Sequence, residues 1–180
     1  MKTAKKTAKR LTAILLALMT IVSCLSLMAS AKNVCKEVSG RAADEGRNAK
    51  VFYVTAKDTK GHSLKMKMTK GKLEACDMMR CSFFDKSTYG FYEIKVYGKK
   101  NGSYVQLSKC NVKGASSYTI SLPIGYKEYK VRVYNWDTET IVKNQRWFTS
   151  IWYAACVYYH WSSTPTWKIS STSGLSYCVD

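Results

Sequence analysis

Between residues 51 and 134, apolar and polar side chains alternate along the chain with a period of two. In one segment Leu64, Met66 and Met68 alternate with Lys65 and Lys67. Successive side chains of an extended chain point to opposite faces, so this period indicates strands with one buried and one wet face. The same alternation predicts strands at residues 92–96, 118–122 and 129–133, and residues 105–107 return from a hairpin. A β-branched and aromatic run predicts a strand at residues 51–55. Residues 140–142, 147–149, 167–170 and 175–179 are further candidate strands.

Turn signals separate these segments. The Asn101-Gly102 pair predicts a tight hairpin, because both residues tolerate positive φ. At residues 123–125, proline restricts φ and glycine adds freedom, which is typical of a turn. Residues 135–137 have the composition of a further turn.

Short strands joined by turns predict an all-β, mostly antiparallel fold, a single small β-sandwich with room for one short helix. The sandwich is expected to span residues 51–180. Two segments are ambiguous: residues 73–84 fit a helix or a loop pinned by cysteines, and residues 151–161 fit a buried strand or a short helix. Residues 32–50 are polar and charged, and predict a strap ahead of the sandwich.

The first 31 residues have the three parts of a secretory signal. Basic residues are followed by an apolar stretch from Leu11 to Val22 and by Ala29-Ser30-Ala31, a site of small residues that signal peptidase recognises. We therefore expect a signal peptide over residues 1–31, cleavage after Ala31 and a secreted protein. Two alternatives are an uncleaved membrane anchor and a lipoprotein acylated on Cys24, which ends a sequence resembling a lipobox.

Cleavage after Ala31 would leave 149 residues with 24 basic and 12 acidic side chains, a formal charge of +12. It would also leave six cysteines, and an even number in an exported chain predicts a domain stapled by disulfides. The pairing stays open. The candidates are Cys35, Cys76, Cys81, Cys110, Cys156 and Cys178.

All five tryptophans lie in the last third of the chain. Trp147 and Trp152 fall in apolar segments and are expected in the core. Trp136, beside turn residues, and Trp161, ahead of a polar stretch, are expected to be exposed and to bind a ligand. Flat aromatic rings of this kind stack on sugars or contact protein and membrane surfaces.

Basic side chains occupy outward positions of three predicted strands. They are Lys65, Lys67, Lys95, Lys130 and Arg132. If these strands are neighbours, the sheet presents one cationic face, which would attract anionic polymers or lipids. The competing interpretation is a solubilising surface that prevents aggregation.

Catalytic signals are sparse. The exported chain would contain two histidines, His62 and His160, and a thiol–imidazole pair is conceivable in principle. Neither histidine lies in a known catalytic motif, no C-x-x-C pair indicates zinc, and no phosphate-cradling loop is present. We therefore expect no cofactor and no metal.

These observations favour a secreted, non-enzymatic protein that binds an extracellular glycan or an anionic envelope polymer. The first alternative is a cationic effector that acts at membrane surfaces through residues 147–161. The second is a small secreted hydrolase that uses His62 or His160. Nucleic acid is a less favoured partner, and the pattern does not predict an oligomeric state.

Overall fold

A computed structural model describes residues 34–46, 48–76, 84–145, 157–170 and 172–179. The signal predicted for residues 1–31 lies outside these ranges, as do Cys81, Trp147, Trp152 and Cys156. The described strands, in chain order, are β1 (Val34–Cys35), β2 (Glu37–Arg41), β3 (Ala49–Ala56), β4 (His62–Met68), β5 (Lys70–Cys76), β6 (Phe84–Tyr89), β7 (Phe91–Lys100), β8 (Ser103–Lys113), β9 (Ser117–Leu122), β10 (Glu128–Asn135), β11 (Tyr158–Ser163), β12 (Thr166–Ser170) and β13 (Leu175–Val179). One helix, α1, spans Thr138–Gln145.

The strands form three sheets, and every strand pairing in the described ranges is antiparallel. The six-stranded sheet has the order β1-β13-β3-β10-β7-β8, the four-stranded sheet β2-β12-β4-β9 and the three-stranded sheet β11-β5-β6. The all-β, mostly antiparallel prediction is therefore confirmed. Residues 34–41, assigned to a strap, contribute one strand to each of the two larger sheets.

The main core lies between the six-stranded and four-stranded sheets, which makes a sandwich. Phe52 and Val131 from the first sheet and Leu64, Met66 and Trp167 from the second belong to one buried cluster. These residues occupy alternate positions of their strands, so the polar residues between them point to the two outer faces of the sandwich.

Two local signals are confirmed in detail. Asn101 and Gly102 join β7 to β8 with φ values of 50° and 82°, the conformation that the tight hairpin requires. Gly125 turns the chain with φ of 100°. The edge of the six-stranded sheet after this hairpin is β8, which is eleven residues long, whereas the opposite edge, β1, has two.

The strand predicted at residues 140–142 is wrong, because these residues lie in α1. The side chain of Asp137 accepts a hydrogen bond from the backbone N–H of Thr140 at 2.7 Å, which caps the first turn of a helix. Ile141 and Val142 are buried against the three-stranded sheet, in a second core cluster with Leu73 and Phe91. No helix in the described ranges is both long and apolar enough to span a membrane.

Candidate functional site

The outer face of the six-stranded sheet combines basic side chains with tyrosines. We call this surface the basic tyrosine face and define it by Tyr53, Glu93, Lys95, Tyr104, Lys109, Lys130, Arg132 and Tyr134. On β3, β7 and β10 each of these residues alternates with a buried residue of its strand, as Lys130 and Arg132 do with Val131. The burial of one set of side chains therefore fixes the outward direction of the other.

Two cations on neighbouring strands converge at one ring of this face. Lys95 and Arg132 are directly opposite each other in the β7–β10 register. The Nζ atom of Lys95 lies 4.9 Å from the centroid of the Tyr134 ring, and the guanidinium carbon of Arg132 lies 5.2 Å from the same centroid. Attraction between cations and the π face thus helps to hold both charges in place.

A second cation–aromatic group lies beside the first. Lys130 is 5.9 Å from the centroid of Tyr104, and the rings of Tyr104 and Tyr53 are 5.7 Å apart. In the strand register Lys130 is opposite Tyr53. Aromatic and positively charged groups therefore continue along β10 across the middle of the sheet.

One carboxylate belongs to this face and is itself neutralised. The Glu93 carboxylate lies 2.8 Å from the Nζ of Lys109 and 3.2 Å from that of Lys95. These bonds, that from Lys109 foremost, hold the pKa of Glu93 below its usual range. Among the residues that the structure describes, Lys130 and Arg132 have no acidic partner. With four cations and one carboxylate, the face keeps an excess of positive charge.

The five predicted basic residues do not form a single face. Lys95, Lys130 and Arg132 meet on the six-stranded sheet, as the sequence suggested. Lys65 and Lys67 instead point outward from the four-stranded sheet, on the other side of the core, where Lys67 is opposite Lys168. The condition for a single cationic face, that the three strands be neighbours, is met by β7 and β10 but not by β4, because β4 pairs with β9 and β12.

The predicted exposure of two tryptophans is also wrong. Trp136 is 6% exposed and Trp161 is 7% exposed, and both belong to the second core cluster. Trp136 follows a strand and precedes a capped helix, so the polar neighbours that suggested a surface turn serve the helix start. The aromatic side chains of the basic tyrosine face are half-buried tyrosines, which the sequence signals as outward positions, for example Tyr53 between Phe52 and Val54.

A thiol, an imidazole and a carboxylate meet on the three-stranded sheet. His160 is opposite Glu74 in the β11–β5 register. The Sγ atom of Cys76 lies 3.8 Å from His160 Nδ1, and His160 Nε2 lies 3.7 Å from Glu74 Oε2. The other histidine, His62, is bound to Asp58 at 2.9 Å beside a turn.

This order of groups is the one a cysteine nucleophile needs, with the imidazole as base and the carboxylate behind it. Two features weaken such a role. Cys76 is fully buried, so a substrate cannot contact its sulfur in this arrangement. Glu74 also binds Lys72 at 3.1 Å, closer than it binds His160. The cluster therefore contains the residues of a thiol active site, but its sulfur is not accessible to a substrate.

A cavity of about 330 Å³ beside α1 is lined by four carboxyl groups and two tyrosines. These residues are Asp44, Glu45, Asp137, Glu139, Tyr158 and Tyr159. Asp44 accepts a hydrogen bond from the backbone N–H of Trp161 at 2.6 Å, Asp137 caps α1, and Glu139 binds Lys143. Three of the four carboxylates therefore have structural partners, and the described residues contain no group of three metal-binding side chains placed to hold an ion.

No disulfide joins two of the four cysteines in the described ranges, which are Cys35, Cys76, Cys110 and Cys178. Cys35 and Cys178 lie on paired strands, but Cys35 is opposite Tyr177 and Cys178 is opposite Val34. Their side chains therefore point to opposite faces of the sheet, which does not favour a bridge between them.

No family model matches this chain, and no curated protein matches it. Among solved structures, it is similar to the crystal structure of a Sulfurospirillum deleyianum protein, with 10% identity over 77% of this chain and 99% of that one and a TM-score of 0.39. It is also similar to the Yersinia pseudotuberculosis-derived mitogen, with 9% identity over 83% of this chain and 87% of that one and a TM-score of 0.27. Both scores are too low for either structure to bear on the fold or the function of this chain.

Proposed function

We propose that this chain is an exported, non-enzymatic protein that binds an acidic glycan or another anionic polymer of the cell envelope. The binding site is the basic tyrosine face. One observation carries the proposal: Lys130 and Arg132 are two residues apart on the same face of β10, Lys95 is opposite Arg132, and no acidic group of the described residues neutralises Lys130 or Arg132.

The physical argument joins charge and ring chemistry. When fixed cations on a sheet bind an anionic polymer, counterions that had condensed on the polymer are released. This release contributes affinity, and the contribution falls as salt rises. The rings of Tyr53, Tyr104 and Tyr134 lie among these cations. Tyrosine offers a flat apolar surface for a sugar ring and a hydroxyl for hydrogen bonding. A polymer that carries both charges and sugar rings uses both parts of this surface.

The proposal includes the finer predictions from the sequence. Export would follow cleavage after Ala31 and leave a domain of net charge +12. Stapling by disulfides also stays a prediction, since Cys81 and Cys156 lie outside the described ranges.

A charge-reversal experiment tests the site. Binding of the protein to immobilised dextran sulfate is measured for the parent and for a Lys130→Glu/Arg132→Glu variant. The matched control is Lys65→Glu/Lys67→Glu, which changes the net charge equally on the other outer face. We expect more than about a tenfold loss of affinity in the first variant and less than about threefold in the second, because short-range contacts outweigh the screened field of remote charges.

Equal losses in the two variants would show that net charge alone drives binding, and no loss in the first would exclude the basic tyrosine face. The membrane and hydrolase hypotheses stay predictions, and separate assays address them. Leakage from anionic vesicles would favour the membrane effector. An activity abolished by His160→Ala in a folded protein would favour a hydrolase, for which the Cys76–His160 contact is the specific observation.

A further inference from the structure

We propose that the basic tyrosine face selects polymers bearing sulfate or phosphate monoesters over polymers bearing carboxylates, and that Arg132 and Lys95 together make this distinction. This inference rests on the proposed function and specifies its ligand. The shared chemistry is a tetrahedral group with three terminal oxygens.

The Arg132 guanidinium lies against an aromatic ring. It contacts the ring of Tyr134 and keeps part of its surface exposed. Its Nε atom is buried without a hydrogen-bond partner, so its contacts with a ligand come from the two Nη atoms at the outer end. Two parallel N–H groups of this kind bind two oxygens of one anion.

The Lys95 ammonium supplies the next donor at the same place. Lys95 is directly opposite Arg132, and side chains opposite each other in an antiparallel pair have Cβ atoms about 4.5–5.5 Å apart. Its bond to Glu93, at 3.2 Å, uses one of its three N–H groups and leaves two for a ligand. The same pair of residues therefore offers donors to at least three acceptor oxygens.

The number of acceptor oxygens separates the candidate ligands. A carboxylate has two oxygens, and the Arg132 fork occupies both. A sulfate or phosphate monoester has a third terminal oxygen, which accepts a hydrogen bond from Lys95 while the fork stays occupied. In a carboxylate, Lys95 must share an oxygen that the Arg132 fork already occupies, so the two cations compete for acceptors and the carboxylate binds more weakly at equal polymer charge.

Lys130 has a different part in this scheme. It is two residues from Arg132 on β10, a rise of about 6.5 Å, and lies over Tyr104. At that spacing it contacts a neighbouring group of the polymer rather than the same ester. Loss of Lys130 is therefore expected to lower the affinity for sulfate polymers and for carboxylate polymers by the same factor.

The test compares three polymers of one backbone: dextran sulfate, dextran phosphate and carboxymethyl dextran, matched in length and charge per sugar. Affinity is measured for the full exported chain by titration calorimetry. We expect both ester polymers to bind at least about tenfold more tightly than carboxymethyl dextran, because only they offer Lys95 an oxygen that the Arg132 fork does not occupy. A preference for one ester alone would assign the ligand to that source.

Variants identify the residues responsible. Arg132→Lys keeps the charge and removes the fork, so we expect the ester-to-carboxylate ratio to fall below about threefold. Lys130→Gln should lower the affinity for every polymer and leave the ester-to-carboxylate ratio unchanged. Lys67→Arg, on the other outer face, is the control and should change neither. Far-ultraviolet circular dichroism establishes that each variant is folded.

Three negative results have different meanings. Equal, salt-sensitive affinity for all three polymers would overturn this inference and leave the proposed function standing. An unchanged ratio in folded Arg132→Lys would exclude the assigned pair. Absence of binding to every polymer would instead contradict the proposed function itself.

Discussion

Truncation of Trp161 to alanine measures how much the second core cluster contributes to the free energy of unfolding. The side chain is 7% exposed and packs with Leu73, Phe91 and Ile141. A buried aromatic side chain covers about 150–250 Å², and at about 25 cal/mol per Å² its burial contributes about 4–6 kcal/mol. The alanine methyl group retains part of this, so we expect a loss of about 3–5 kcal/mol in the free energy of unfolding.

The assay is urea denaturation of the chain that begins at Lys32, followed by far-ultraviolet circular dichroism. Tyr158→Ala is the matched control, because this residue is on the same strand, faces the other way and is 53% exposed. We expect the control to cost less than about 1 kcal/mol. Trp161→Phe should cost less than half as much as the alanine change, since it keeps most of the ring and removes an indole N–H that is buried without an acceptor.

A loss below about 1 kcal/mol for Trp161→Ala would refute the placement of this residue in the core. It would instead restore the exposed position that the polar sequence after Trp161 suggested. A cost equal to that of Tyr158→Ala would have the same meaning.

Three further predictions concern other parts of the molecule. Gly71→Ala should destabilise the domain by about 3 kcal/mol or more in the same assay, because a Cβ at this buried position would overlap the carbonyl oxygen of Ser163; an unchanged denaturation midpoint would contradict the close packing there. The lowered pKa of Glu93 means that its contribution to stability is present above the pKa of the unfolded chain and is lost as pH falls through the lower, folded value. Glu93→Gln should therefore reduce stability at pH 7 more than at pH 2, and an equal reduction at both would argue against ionic pairing. The intact mass of the exported protein should correspond to a chain that begins at Lys32, and it should lie about 2 Da below that of the reduced chain for each disulfide. A lipid on Cys24 would contradict the cleavage site, and an unchanged mass on reduction would contradict the disulfides.

The alternation of side chains is a local property, and it predicted most of the strands. Leu64, Met66 and Met68 are buried on β4 as their spacing required. The helix was missed because its eight residues include the β-branched Ile141 and Val142, whose strand preference is overridden by the Asp137 cap and by packing.

The candidate site depended on information that the sequence does not contain. Lys95 and Arg132 are far apart along the chain, and only the pairing of β7 with β10 brings them together. Lys67 has the same alternation and the same charge, yet the pairing of β4 places it elsewhere. A pattern identifies which face of a strand is wet, whereas the order of strands decides which wet residues become neighbours.

The long edge strand β8 has a consequence for self-association. An edge of eleven residues offers backbone groups to a second copy, a route to aggregation in β proteins. β8 contains Lys109 and Lys113 and no acidic residue, so two copies paired along this edge would bring like charges together. Because salt screens such repulsion, the protein should be most resistant to aggregation in dilute buffer and should lose this protection as ionic strength rises.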